Sequence, residues 1–327
     1  MNEKKRIGIM TTGGDCSGLN TVIQRVVNAA AMRDWQVIGI RGGTDGLYAE
    51  PVDAIELTPE NMPLEYARLS GSILRNGRDG TMNFEEAARQ GILKEFNAKL
   101  NRALKELHLD TLILVGGNGS LSLAWGFKEI YSGVKLVCVP KTIDMDVPLT
   151  DATIGFNTAV QQLTTFCDQL LMTARSHRRW FVVQAMGRDC GKLALEAGVA
   201  AGASAILIPE IKFNVDSLIE HIKNAPTDYG IVVVSECISL RGHSGKAAEM
   251  IARQLNAAGI YCRPEYPEHF QRAGDTTATD RIIAASMADC AVRAIENNET
   301  YVMTAMQNGV CKTIALSEFF NRGDLVP

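Results

Sequence analysis

Two hydrophobic periodicities alternate along the chain. Short, near-continuous apolar runs rich in Val, Ile and Leu lie at residues 6–11, 36–41, 111–115, 135–139, 180–184, 205–208, 230–235 and 301–305. Runs of this length without polar alternation predict strands covered on both faces. Between them, apolar residues recur at helical spacing, which predicts amphipathic helices such as 18–33, 83–107, 151–175, 215–223, 245–258 and 276–297. Strand-helix alternation over the whole length predicts an α/β fold of mostly parallel, doubly wound sheets, and 327 residues suffice for two of them. In such sheets ligands gather beyond the carboxyl ends of the strands, where loops open into helix N-termini.

Composition narrows the function classes. The chain is 46% hydrophobic and 21% charged, with a mean hydropathy of +0.00, as in ordinary globular proteins. A net charge of -4 argues against a broad nucleic-acid surface, so an anionic ligand would be met by a few focused arginines. Eight cysteines are scattered with no CxxC pair and no histidine cluster, which suggests reduced, packed thiols and neither a zinc site nor a disulfide framework. The first residues run into Ile7–Met10 without a leader-like apolar region, and no apolar run approaches the roughly 20 residues of a membrane span. The expected location is the cytoplasm, without a membrane partner. No repeat, low-complexity stretch or linker separates the halves.

The unusual chemistry sits in the loops after the predicted strands. Gly13-Gly14-Asp15 follows the first and Gly116-Gly117-Asn118-Gly119-Ser120 follows the third. Glycines let a backbone approach phosphate closely, and a following helix N-terminus offers N–H groups and partial positive charge. Each pair also fits a plain tight turn; two in matching positions favour phosphate. Walker A and GxGxxG spacings are both absent. After the next strand come Lys141-Thr142-Ile143-Asp144-Met145-Asp146. On an extended segment the carboxylates of Asp144 and Asp146 would face one way, one able to accept a proton and the other to help hold Mg²⁺. The same spacing fits a solvated acidic turn. Arg179, Arg188, Arg263 and Arg272 stand in strands and turns where a solvated face is not expected, and guanidinium forks suit sugar phosphates. Glu236 closes a strand, placed to accept a sugar hydroxyl or to cap the next element.

Taken together, these segments resemble the phosphofructokinase family from Gly8 to about Asn308. The resemblance rests on Gly13–Asp15 with Gly18-Leu19-Asn20, Gly116–Ser120, Pro140–Asp146, Thr153–Ala159, Ser176–Arg179, Met186–Arg188, Pro209-Glu210, Ser235-Glu236, His269–Gly274 and Asp280-Arg281. It implies two Rossmann-like domains with a cleft between them: a phosphoryl-donor domain of 1–155 plus 272–319, and a sugar-phosphate domain of 156–271 plus 320–327. It also implies phosphoryl transfer from ATP, or from pyrophosphate, to the 1-hydroxyl of fructose 6-phosphate with Mg²⁺. Gly14, Arg78, Gly117, Asn118, Gly119, Ser120 and Lys141 would face the donor. Asp144 would be the base, acting with Thr142, Arg78 and Arg188, while Asp146 and Asn118 would serve the metal. Thr142, Asp144, Asp146, Met186, Gly187, Arg188 and Glu236 would hold the sugar, and His269 and Arg272 its 6-phosphate. Arg179 and Arg263 would reach that phosphate from an adjoining subunit, implying a homo-oligomer, usually a tetramer.

The departures from the family pattern carry information. Asn118 stands where the family has a metal-site Asp, which brings an amide oxygen but no charge to a hard cation. A weakly active or purely sugar-phosphate-binding paralogue is therefore the alternative to an active kinase. Gly119 resembles ATP users and Lys141 resembles pyrophosphate users; Leu123 and Thr44 alter the nucleotide side, and Gly119, the more direct steric determinant, favours ATP. Met145 and Ala273 also differ from the family. Gln24, Asn28, Leu57, Leu171 and Ser204 replace charged effector ligands of allosteric bacterial members, so that regulation is expected to be missing. A nucleotide or lipid kinase with a similar glycine-rich loop would not need the 186–188 and 269–272 segments.

Overall fold

A computed structural model describes residues 4–77, 93–130, 133–239 and 245–320. The chain divides into two compact units: Met1–Thr142, Val147–Gly155 and Asp275–Pro327 in the first, Ile143–Asp146 and Phe156–Gly274 in the second.

The first unit is built on a sheet whose interior strands are β1 (Arg6–Thr11), β2 (Gln36–Ile40), β4 (Thr111–Gly116) and β5 (Lys135–Thr142). Its order is β12-β11-β5-β4-β1-β2-β3, with β3 (Ala54–Leu57), β11 (Val302–Gln307) and β12 (Val310–Ala315) completing it. The interior pairs are parallel, while β3 and β12 add antiparallel edges. Every residue of β4 is buried, as near-continuous apolarity implies for a strand covered on both faces. The edge strands escape the same reading because they are only partly buried: β12 alternates exposed and half-buried residues up to the buried Ile314, and β3 buries only Leu57, so neither has an apolar run. Two further residues, β6 (Ile154–Gly155), pair with the end of β5.

Helix α1 (Leu19–Ala31) buries Leu19, Val22, Ile23, Val26, Val27 and Ala30, the spacing of one helical face. It packs against the helix Ala278–Glu296, which starts where Thr277 accepts a hydrogen bond from the Asp280 N–H. Gly18, at φ 101°, admits no side chain, since a Cβ there would lie 2.6 Å from Ile154. The first part of the predicted 83–107 helix lies outside the described residues, and Leu93–Glu106 is helical. The helix expected from 151 starts at Phe156, because 151–155 is spent on β6 and on the Thr153 hydroxyl donating to the Thr142 carbonyl.

In the second unit all strand pairs are parallel, in the order β10-β7-β9-β8. The strands are β7 (Trp180–Ala185), β8 (Ala205–Leu207), β9 (Gly230–Ser235) and β10 (Cys262–Glu265). Trp180, Val182, Val232 and Val234 form its core with Leu218 and Ile222 from the helix Val215–Lys223, and with Ile251 and Leu255 from the helix Ala247–Ala257. Its longest helix is Phe156–His177. Residues 143–146 and 272–274 fall here, whereas Phe320 meets Phe319 edge-on and packs against the tilted ring of Trp125 in the first unit. The unit boundaries thus differ from the sequence-based ones at those three places.

Candidate active-site loops

In the first unit β1 leads outward to β2 on one side, and the chain later returns to β4 on the other, so strand order reverses between β1 and β4. Such a switch point opens a crevice at the carboxyl edge. The loops that meet there are Thr12–Gly14 and Gly116–Ser120. The Thr12 N–H donates to the Val115 carbonyl at 2.9 Å, and the Thr12 hydroxyl donates to the Ser120 hydroxyl. Lys141, only 3% exposed at the end of β5, donates its ammonium to the Gly14 carbonyl. A Cβ placed on Gly13 would lie 3.6 Å from the Ser120 Oγ and 3.7 Å from the Lys141 Nζ, so hydroxyl and ammonium converge on bare backbone.

The three loop glycines serve different purposes. A Cβ on Gly116 would overlap Ser120, and one on Gly117 would press on the Lys141 carbonyl at 3.2 Å. A Cβ on Gly119 would meet nothing within 4 Å, so that face of the loop opens onto free space. The helix Asn118–Ile130 starts on this loop and directs its first N–H groups and partial positive charge there. Thr12, 7% exposed, has no role in the sequence reading; its only signal is a hydroxyl at the end of a buried strand. The Arg78 side of the donor loops and the Leu123 side chain lie outside the described residues.

The turn after β5 departs from the expected geometry. It bends at Ile143-Asp144, and Met145 has a left-handed φ of 56°, so the segment is not extended. A common direction for Asp144 and Asp146 therefore does not follow from residue alternation. Both are half-buried, and Thr142 is 8% exposed. Within the second unit, burial pushes the Cys190 thiol up, and the charge and hydrogen bond of Glu210 and the charge of Asp146 add to that.

That loop leaves β7 through Met186, Gly187 and Arg188. Glu236, at the end of neighbouring β9, accepts from the Gly187 N–H at 3.1 Å and the Arg188 N–H at 2.8 Å through one oxygen. It therefore shapes the loop, beyond the two roles its sequence position suggests. Gly187 has φ +141°, and a Cβ there would run into the Cys190 carbonyl. The Arg188 backbone is left-handed at φ 54°, and its side chain is 62% exposed. Gln271, 1% exposed, accepts from the Met186 N–H at 3.0 Å and donates to the Glu268 carbonyl at 3.1 Å. It ties the 3-10 turn Glu268–Arg272 to the loop, and sequence reasoning gave it no role. On that turn His269 is exposed and Arg272 half-buried. Arg179 and Arg263 are placed elsewhere, at the amino ends of β7 and β10, beside Tyr261.

A glycine-built cradle at a switch point, lined by hydroxyl and ammonium groups, belongs to a doubly wound α/β fold and has the chemistry that a phosphate would need; the second unit adds a carboxylate-shaped loop and a His/Arg turn. The sequence profile described as Phosphofructokinase matches residues 6–295, and the chain belongs to that family. It is 36% identical to "ATP-dependent 6-phosphofructokinase 1" of Nostoc sp., over 97% of this chain and 92% of that protein. It is 35% identical to the "ATP-dependent 6-phosphofructokinase" of Lactobacillus acidophilus, over 97% and 94%. The phosphofructokinase structure from Saccharomyces cerevisiae superposes with a TM-score of 0.85 at 27% identity, covering 97% of this chain and 45% of that one. A pyrophosphate-dependent phosphofructokinase from Nitrosospira multiformis shares the fold, with a TM-score of 0.83 at 20% identity.

Proposed function

We propose that this protein is a 6-phosphofructokinase that moves the terminal phosphoryl group of ATP onto the 1-hydroxyl of fructose 6-phosphate. The convergence of Gly13, Ser120 and the buried Lys141 on one patch of backbone carries this reading, because it forms a seat for the donor's phosphates. Gly14, Gly117, Asn118, Gly119, Ser120 and Lys141 take the donor, with Arg78 assigned to its transferred end. Asp144 accepts the proton of the sugar hydroxyl, Thr142 and Arg188 orient the reacting groups, and Met186, Gly187 and Glu236 bind the sugar ring. His269 and Arg272 take its 6-phosphate. Positioning and charge neutralisation supply most of the rate in phosphoryl transfer, and the residues assigned here are suited to both.

Mg²⁺ fits the donor set, since it needs only one or two carboxylates besides phosphate oxygens and water. Asp146, in the second unit, would be its carboxylate ligand, and Asn118, in the first, offers a neutral amide oxygen in place of a carboxylate. When bound, the ion neutralises charge on the donor's phosphates. Among the described residues no helix is long and apolar enough to cross a membrane. A cytoplasmic homo-oligomer, a tetramer sharing sugar-phosphate sites, completes the reading.

Purified protein assayed with fructose 6-phosphate and Mg²⁺ is expected to turn over with ATP and not with pyrophosphate. Turnover with pyrophosphate alone would reverse the donor assignment. No turnover with either donor, but activity in Asn118→Asp, would favour the weakly active paralogue that Asn118 suggests. Silence from both proteins would leave a sugar-phosphate-binding subunit.

A further inference from the structure

At the amino end of the second sheet, two cations share one aromatic ring. The guanidinium of Arg179 lies 5.0 Å from the Tyr261 ring centroid and that of Arg263 lies 5.9 Å from it. The Arg263 Nη2 also donates to the Tyr261 hydroxyl at 3.1 Å. Strand pairing enforces the grouping. β7 and β10 run parallel with Cys262 beside Trp180, and the Trp180 N–H donates to the Tyr261 carbonyl at 2.9 Å. Tyr261 and Arg179 therefore sit side by side just before their strands begin.

Among the described residues neither guanidinium meets a carboxylate. Arg178, next in sequence, pairs with Asp228, and Arg253 pairs with Glu249. The Arg179 Nε is buried with no hydrogen-bond partner. Two like charges held together without a counter-ion, beside a ring that is 50% exposed, make a ready site for a dianion. The Met186–Arg188 loop leaves the opposite end of β7, six residues away, or about 20 Å. The fork therefore cannot serve the sugar loops at the carboxyl end of its own sheet.

We infer that Tyr261 is a positioning residue: its ring holds Arg179 and Arg263 as a preformed fork for the phosphate of a sugar phosphate bound by a second copy of this chain. The inference rests on the proposed function and adds the means by which the fork is held. Unsupported arginines lose rotamer freedom on binding, whereas guanidiniums already held against a ring lose less.

Saturation curves for fructose 6-phosphate and ATP, with melting temperatures, test this on Tyr261→Leu, Tyr261→Gln, Tyr261→Phe, Arg179→Leu and Arg263→Leu. The ringless variants are expected to raise the KM for fructose 6-phosphate about tenfold, the worth of two partly solvated cation–π contacts. The KM for ATP and kcat stay within about twofold. Tyr261→Phe keeps the ring and loses one hydrogen bond, so it stays within about threefold of wild type. If Arg179→Leu or Arg263→Leu raises the sugar-phosphate KM while neither ringless variant does, the positioning role is wrong and the proposed function stands. If no arginine variant raises it, the assignment of the fork to the sugar phosphate fails, and the inference with it. A Phe variant as damaged as Leu, or a fall in melting temperature with both KM values moving together, would reduce Tyr261 to a packing residue. Should both ringless proteins fail to fold while the Phe variant folds and behaves as wild type, that too would count as packing and overturn the inference.

Discussion

At the residue scale, glycines that look alike in the sequence separate by what surrounds them. Gly187 is required twice, by φ +141° and by the Cys190 carbonyl where a Cβ would stand. Gly187→Ala is expected to cost about 1–3 kcal/mol in urea unfolding and to raise the KM for fructose 6-phosphate, because the N–H groups facing Glu236 are displaced. The KM for ATP should not move. Gly119→Ala reverses the pattern. With nothing within 4 Å of its Cβ, it should leave stability within about 0.5 kcal/mol and act only on the donor. If both variants moved both substrates, the division of roles between the loops would be wrong. These side-chain environments were not legible in the sequence: Gly-Gly reads the same whether its Cβ position holds Ser120 or open space.

At the element scale, the strands and most helices follow from periodicity, because a strand covered on both faces must be apolar throughout and a helix needs a single stripe. The failures have the same origin. β10 and β12 lie at sheet edges, so each has only one fully buried residue and no apolar run appears. Local capping is also legible. Asn214 precedes the helix Val215–Lys223, and its side chain accepts from the Asp216 N–H at 2.7 Å and the Ser217 N–H at 3.4 Å. Asn214→Ala should lower unfolding stability by about 1 kcal/mol, and Asn214→Asp should restore most of it. Neither substitution should change KM or kcat, and an altered KM would show that this helix bears on the site.

At the scale of the whole molecule, the cysteines are part of packing. Burial pushes the Cys167 and Cys262 thiols up to about 12 from the usual 9.0, and raises Cys138 as well. In the unfolded chain these thiols ionise near the usual value, while in the folded protein they stay neutral. Between pH 9 and 12 the unfolded state therefore releases protons first, and stability, fully present below pH 9, falls as pH rises. Each thiol contributes about 1.4 kcal/mol per pH unit to that slope. Melting temperatures from pH 7 to 11 should fall at the alkaline end, and Cys167→Ala should show a shallower decline than wild type. Equal slopes would mean that this thiol titrates alike in both states.

The sequence by itself determined the α/β class, the interior strands, the positions of the glycine-rich loops and the family, because these depend on local periodicity and on short stretches of fixed chemistry. Tertiary structure alone decided how the loops are held. Glu236 meets Arg188 from 48 residues away and Gln271 meets Met186 from 85. The ring of Tyr261 gathers Arg179 and Arg263 only because β7 and β10 pair in that register. The Asp144–Asp146 turn was misread as extended for a related reason. A left-handed Met145 is invisible to residue spacing, since backbone conformation at a loop is chosen by the packing around it. Periodicity reports which face of an element is buried; it carries no information on which distant segment does the burying.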